Sequence, residues 1–580
     1  MRGGGSNKTH IWYKEGTIVL LCLFALCLSQ PVLSQNRKKK GDDKVYLDHA
    51  DELTFDQAVR PGVQILRGHV RFRYQDTSLT CDSAYFNQER NTFQAFGHVT
   101  MRKRGGITLT CLRAKYDGML EMVQARQNVV LTQPGRSLHT DSLDYNTGTN
   151  YANFYDGGRL VSDKTSVVSR RGEYYLDTHE SNFYEDVVMR SPKYTIETDH
   201  LNYNTHTEQA HIIGPSVIKG KNGEIVHTED GYYDNKIDKM ELMGWSTITT
   251  KDRDVEGDNL NYNSTTGDSE GHGNVKITDK LNNRVVTGDN LYYNEKTHKG
   301  DGDGNIVYTD MKNRNTLTAE TIHYTDSEAV AYGRPVIKDF SQKDTLYMHA
   351  DTLRMYTYHY DTDSVYRRVL CYPNVRAYRK DVQAVCGLLV FNSKDSCMTM
   401  YRDPVTWSDE RQLFGDSIKI YMNDSTVREA YVFSNAMSIE KRLDQKHFNQ
   451  VASREMRAFF EEGKVRRTEA IGNVLSVYFP EEEKDSSVIG LNYMETDTLR
   501  MFMSDQQRLE KIWVSKPEGT LYPITQVPPG KEKLPGFAWY DYLRPIDKDD
   551  IFRTVTKESG KKKEERQVII ARPPRQVIKE

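Results

Sequence analysis

An all-β tandem-repeat fold is what this 580-residue sequence predicts, and three regularities predict it. An aromatic marker recurs at Phe86, Tyr116, Tyr145, Tyr175, Tyr203, Tyr233, Tyr262, Tyr293 and Tyr324, in steps of 28 to 31 residues. A glycine, or a residue in its place, recurs in phase with it at Gly68, Gly97, Gln127, Gly157, Glu185, Gly214, Gly244, Gly273, Gly304 and Gly333. Between the markers, apolar and polar residues alternate. A fixed period of this length signals stacked supersecondary units, and alternation signals strands with one buried face.

Each repeat carries two apolar segments, the first starting at the glycine marker. Apolar residues stand two and four positions after it, as in Val70/Phe72, Val99/Met101, Val129/Leu131, Val187/Met189, Val275/Ile277 and Ile306/Tyr308. The second segment has an acid four residues before the aromatic and an apolar residue two before it. Its clearest copies are Gly257-Asp258-Asn259-Leu260-Asn261-Tyr262-Asn263 and Gly288-Asp289-Asn290-Leu291-Tyr292-Tyr293-Asn294. Turn residues such as Asn146-Thr147-Gly148 follow. No stripe at spacings of three and four runs through the body, so helices are not expected there. Asp258 shares the parity of Leu260 and Tyr262, so a flat strand would bury the acid; a bend is expected beside it.

A two-strand unit of about thirty residues cannot bury its apolar face alone, so the units must stack. Two architectures fit: a folded-over pair of sheets enclosing a groove, or a closed β-solenoid. The interior is then a packed core or a channel for lipid.

Around this body the chain divides by composition. Residues 1–34 read as a cleaved secretory signal, with Arg2, Lys8 and Lys14 before an apolar run from Ile18 to Leu28. Residues 35–44 read as a flexible basic lead-in, 45–355 as the regular repeat and 356–515 as its divergent continuation. Within the last of these, Val451 to Phe460 reads as a short helix. Residues 516–555, rich in proline and aromatics, read as a capping segment, and 556–580 as a disordered charged tail. Charge is uneven: residues 60–136 hold twelve Lys/Arg against five Asp/Glu, and residues 221–330 twelve against twenty-one.

Chemistry-bearing motifs are few. Stacked marker acids (Asp82, Asp141, Asp199, Asp258, Asp289, Glu320, Asp351) would repel one another, which favours turn or rim positions over a metal or catalytic site. Gly300-Asp301-Gly302-Asp303-Gly304-Asn305 lacks the spacing of a calcium loop and reads as a turn between strands. His69 and His98 follow equivalent glycines without supporting ligands and read as surface residues. Cys81 and Cys111 sit at the same place in adjacent repeats, where a disulfide across neighbouring strands and two small core residues are both open readings. No catalytic residue, metal site or cofactor is expected, and no nucleic-acid partner.

A signal segment followed by tandem Gly-x-Val strands and Asp-x-Leu-x-Tyr-Asn strands resembles the OstA-like family, which includes periplasmic bridge proteins of lipopolysaccharide transport. The similarity covers residues 45–355 well and 356–515 loosely. It implies an elongated, folded-over (V-shaped) β-jellyroll. About fifteen repeats at about 4.8 Å would give a body of about 70 Å. It also implies a non-enzymatic, periplasmic scaffold, in association with the outer membrane, whose apolar groove carries the acyl chains of lipopolysaccharide. Val70, Phe72, Val99, Met101, Leu143, Leu201, Leu260 and Leu291 would line that groove. Arg67, Arg71, Arg73, Arg102, Lys103 and Arg104 would form a basic zone for the head group. The expected partners are lipopolysaccharide and other envelope transport proteins joined through edge strands, with end-to-end self-assembly as a further possibility. The alternative is a structural or adhesive β-repeat protein with a packed core and no lipid ligand. A β-helical carbohydrate-active enzyme would need a cluster of outer-face carboxylates, which the sequence lacks.

Overall fold

A computed structural model describes residues 44–557 apart from 361, 424–425 and 483–486. The signal segment 1–34, nearly all of the lead-in 35–44 and nearly all of the tail 556–580 lie outside the described residues. Among the described residues the chain forms forty strands and three short 3-10 helices, so the all-β expectation holds. By contact it divides into two compact units. One runs to Asp163 and includes Arg170–Asp177; the other comprises Lys164–Ser169 and everything from Thr178 onward.

One local device builds both units. All ten glycine-marker positions have positive φ, Gln127 and Glu185 included. In seven of the ten the next residue does too (His69, His98, Asn128, Asp186, Asn274, Asn305 and Arg334). Two successive left-handed residues bend a strand sharply. The marker is therefore the middle of a strand and not its start: Gln64–Tyr74 bends at Gly68-His69, and Lys299–Asp310 bends at Gly304-Asn305. On the partner strand the marker acid occupies the same corner. The register of Gln64–Tyr74 against Thr77–Asn87 shifts between Arg67 and Val70, so Gly68 and His69 stand opposite the single corner residue Asp82.

This unequal count resolves the parity of Asp258. On the acid-bearing strand the buried positions change parity across the corner, from Leu79 and Cys81 to Ala84 and Phe86. The acid stays at the rim while residues on both sides of it face inward. There it accepts a bond from the residue after the next glycine: Asp82 from His98 Nδ1 (2.8 Å), Asp258 from Asn274 Nδ2 (2.8 Å) and Asp289 from Asn305 Nδ2 (2.8 Å); Asp351 accepts in the same way from Asn374 Nδ2 (2.7 Å), which follows Pro373. His69 and His98 are thus exposed corner staples.

Each bent strand contributes to two facing half-sheets joined at the row of corners. Half-sheet I contains the first halves of glycine-bearing strands and the second halves of acid-bearing strands; half-sheet II contains the remaining halves. Beyond Tyr324 the corner interrupts many of the strands. Glu328–Tyr332 and Val336–Asp339 each pair with their own half of Asn315–Tyr324.

The carboxylate packs against the glycine it faces. A Cβ on Gly304 would lie 2.5 Å from Asp289 Oδ2, at φ +78. Gly304→Ala is therefore expected to cost about 1–3 kcal/mol through left-handed strain and the displaced acid. A urea midpoint equal to that of the unmodified protein would show the corner to be unstrained.

Three sequence expectations are corrected. Gly300–Asn305 lies within strand Lys299–Asp310 and is not a turn between strands. Val451 to Phe460 is part of strand Phe448–Glu461, because its charged residues alternate with Met456 and Ala458 across the two faces of a sheet. Cys81 and Cys111 are not on neighbouring strands, since Thr92–Lys103 pairs with both Thr77–Asn87 and Ile107–Asp117. Next-but-one strands are about 9–10 Å apart, beyond the reach of a disulfide. All five described cysteines are buried free thiols, and burial pushes Cys81 up to about 12 and Cys111 up to about 11.

Residues 524–557 lie over the outer face of half-sheet II in the second unit. Leu534 and Leu543 complete a core with Val405, Trp407, Met437, Ile439, Val477 and Leu491. Two buried glutamines make strand-like bonds to this segment. Gln412 Nε2 donates to Ala538 O (2.7 Å) and its Oε1 accepts from Tyr540 N (2.7 Å). Gln450 bonds Glu532 O and Leu534 N (both 2.8 Å) in the same way.

Candidate functional site

Within each unit the inward faces of the two half-sheets are apolar, and these interiors are of two kinds. In the first unit the interior is filled. Phe72 stacks on Phe93 from the facing half-sheet at 4.5 Å, and Tyr74 meets Tyr116 at 5.6 Å. A small cavity of about 20 Å³ remains among Val45, Phe72, Leu79, Phe93 and Met101, roughly the room for one water. Polar contacts close the mouth: Tyr74 OH donates to Glu121 Oε1 (3.0 Å), Lys103 Nζ to Asn150 Oδ1 (2.7 Å) and Tyr174 OH to Gln133 Oε1 (2.5 Å).

The second unit begins in the same way. Lys193 Nζ lies 2.6 Å from Asp238 Oδ2 and donates to Ser264 Oγ (2.8 Å), while Tyr194 meets Tyr233 edge-on at 5.4 Å. Further along, the inner positions lose their cover. Val255, Tyr262, Ile277, Leu291, Tyr293 and Tyr308 are only half-buried. Near the corner the interior stays tight, because glycines replace larger residues there. A Cβ on Gly271 would meet Val275 Cγ1 at 2.8 Å, and one on Gly288 would meet Ile306 Cδ1 at 2.4 Å.

From Leu317 to Val514 a buried layer at the corners, including Leu353, Leu389, Ile418, Val432 and Leu499, carries half-buried apolar residues from both half-sheets. Ile337, Met348, Val451 and Met494 come from half-sheet II; Val369, Phe391, Met398, Ile420 and Met501 come from half-sheet I. This is an apolar cleft with a packed floor and partly exposed walls.

Of the groove residues expected from sequence, Val70, Phe72, Val99, Met101, Leu143, Leu201 and Leu260 do point inward, but each is 3% exposed or less. Leu291 alone lies on a half-buried wall. The expectation took apolar parity as accessibility, and parity fixes only the face on which a residue lies. The basic zone stands elsewhere too. Arg67, Arg71, Arg73 and Arg102 project from the outer face, Arg104 lies in a turn, and Lys103 turns inward to close the mouth. Arg73 is paired with Asp48 at 3.3 Å.

The arginines at the mouth of the cleft are others. Arg253 sits 5.7 Å over the Tyr293 ring, and Arg284 Nε lies 3.4 Å from Asp310 Oδ2. Burial raises the pKa of Tyr293, Tyr308 and Tyr324; the charge of Arg253 opposes this at Tyr293, and those of Arg284 and Arg367 at the other two. The sequence held a signal for two of them, since Arg253 and Arg284 each stand five residues before a marker acid, Asp258 and Asp289.

Residues 42–199 match the model of the OstA-like protein family. The OstA-like segment lies within the closed part of the repeat, includes the outward arginines and ends before the interior loses its cover. A solved structure similar to the chain is that of LptH from Pseudomonas aeruginosa, described as the LptA-homologous periplasmic component of the lipopolysaccharide transport device. It is 14% identical, covering 22% of this chain and 86% of that one, with a TM-score of 0.18. No curated protein matches.

Proposed function

We propose that the protein is a non-enzymatic scaffold of lipopolysaccharide transport in the periplasm, holding acyl chains in the cleft between Val255 and Val514. The observation that carries this reading is the pair of half-exposed apolar walls on a packed floor. Each acyl methylene that leaves water there contributes about 0.8 kcal/mol, without a specific polar partner. Arg253, Arg284 and Arg367 stand where a head-group phosphate would meet the mouth, and guanidinium groups suit phosphate geometry. The OstA-like segment supports the assignment to this transport class.

Partners would join through the terminal strands. Tyr46–His49 and Glu52–Phe55 pair only with Gln64–Tyr74, and Leu509–Ser515 and Glu518–Pro523 only with Gly490–Met503, among the described residues. Ile512, Trp513 and Leu521 are exposed beside the latter edge, which suits β-augmentation by a neighbouring envelope protein or a second copy. The filled interior of the OstA-like segment favours a second reading for that part, a structural extension that holds no lipid.

Photo-crosslinking side chains at Leu291, Met355 and Phe391 are expected to capture lipopolysaccharide, while the same groups at Val70, Met101 and Leu201 capture none. Absence of capture at every cleft position, with the variants folded, would overturn the lipid reading.

A further inference from the structure

The cleft is lined with methionine. Of the 18 methionines in the chain, ten lie between residues 340 and 503. Nine of those take inward positions: Met348, Met355, Met398, Met400, Met422, Met456, Met494, Met501 and Met503. The assignment follows from strand alternation: Met501 and Met503 share the parity of buried Leu499, Met422 that of Ile418, and Met355 that of Leu353. Seven of the nine are half-buried, Met400 and Met456 being the buried exceptions. In the closed part of the repeat, inward Met101, Met189 and Met240 are buried to 3% exposure or less. Thioethers are therefore concentrated where the interior meets solvent. Elsewhere branched and aromatic residues predominate at the inward positions, as at Leu79, Phe86 and Ile212.

Unbranched, polarisable side chains adapt to an apolar ligand of variable shape, and they carry one reactive atom. We propose that these methionines make the cleft an oxidation-sensitive modification site, in which a peroxide converts the walls from apolar to polar and releases the bound chain. The sulfur lone pair attacks one peroxide oxygen, and the O–O bond breaks. The sulfur is oxidised by two electrons to the sulfoxide, and the remaining oxygen leaves as water once it takes up a proton. A sulfoxide oxygen facing an acyl chain has no hydrogen-bond donor there, so the chain binds less well. A bound chain in turn covers the sulfur atoms and slows their oxidation.

This inference rests on the cleft as the binding site, and its test separates it from the lipid reading. The full chain is treated with hydrogen peroxide, and sulfoxide is read at each methionine by peptide mass spectrometry. Exposed Met119 and Met311 serve as fast references, and buried Met101, Met189 and Met240 as slow ones. Met355, Met398 and Met501 are expected to oxidise about tenfold faster than the slow set. Binding of an apolar fluorescent naphthylamine is followed in parallel and is expected to fall about tenfold on oxidation. In a Met355→Leu, Met398→Leu, Met501→Leu variant, peroxide is expected to lower dye binding far less, each protein being compared with its own untreated sample. Oxidation at the slow-reference rate overturns the proposal, as does full sulfoxide formation with dye binding unchanged. If peroxide lowers dye binding but lipopolysaccharide is never captured, the modification site stands and the lipid reading falls.

Discussion

Leu201→Ala is expected to destabilise the protein by about 2–5 kcal/mol, and Leu291→Ala by less than about 2 kcal/mol. The two leucines hold the same place in the repeat. Leu201 is fully buried, opposite Phe183 on one side and Ile212 on the other. Truncation there removes apolar contact and leaves a cavity whose walls, two hydrogen-bonded strands, cannot collapse into it. Leu291 lies between Gly271 and Gly302 on a half-buried wall, where part of its surface already meets water and solvent can fill the space of a lost side chain. Denaturant midpoints followed by tyrosine fluorescence will read the difference. Equal losses at both positions would mean that the interior is packed throughout, and the cleft would have to be abandoned.

Asp550→Ala is expected to cost about 3–5 kcal/mol and to release residues 524–557 to protease. Arg376 is 3% exposed on the outer face of half-sheet II. Its guanidinium donates from Nη1 to Leu543 O (3.0 Å) and from Nε to Asp550 O (3.2 Å), and Nη2 lies 3.3 Å from Asp550 Oδ2. Without that carboxylate, a buried cation is left with two carbonyl partners and no counter-charge. Paired replacement of Arg376 and Asp550 by apolar residues should cost much less, because it removes the stranded charge. If the single variant keeps the segment as protease-resistant as before, the ion pair is not its anchor.

Much of the fold was legible because it depends on nearest neighbours along and across strands. The glycine and acid markers report a corner whose cause is local: a left-handed backbone next to a carboxylate that must find a donor. Gln127 and Glu185, which break the glycine pattern, share the positive φ of the glycines. The parity conflict at Asp258 implies the bend from the sequence alone. The charged run around Arg457 carries Ala452, Met456 and Phe460 at spacings of four, which also suit a helix; only strand pairing on both sides separates the two.

The site was less legible. Inward parity is shared by Leu201, sealed in a core, and Met501, on an open wall, so alternation cannot tell them apart. Their exposure depends on how far apart the facing half-sheets stand, which reflects contacts between residues distant in sequence, such as Lys193 with Ser264 or Tyr74 with Glu121. The outer face around Trp407 carries the same lesson. Its apolar residues look unpartnered in their own strands and are covered by Leu534 and Leu543, more than one hundred residues later. The sequence by itself thus determined the period, the strand faces and the corner, because backbone conformation and side-chain alternation act over a few residues. Tertiary structure alone decided where the interior is core and where it is cleft, because that depends on the distance between two sheets, set jointly by many small contacts.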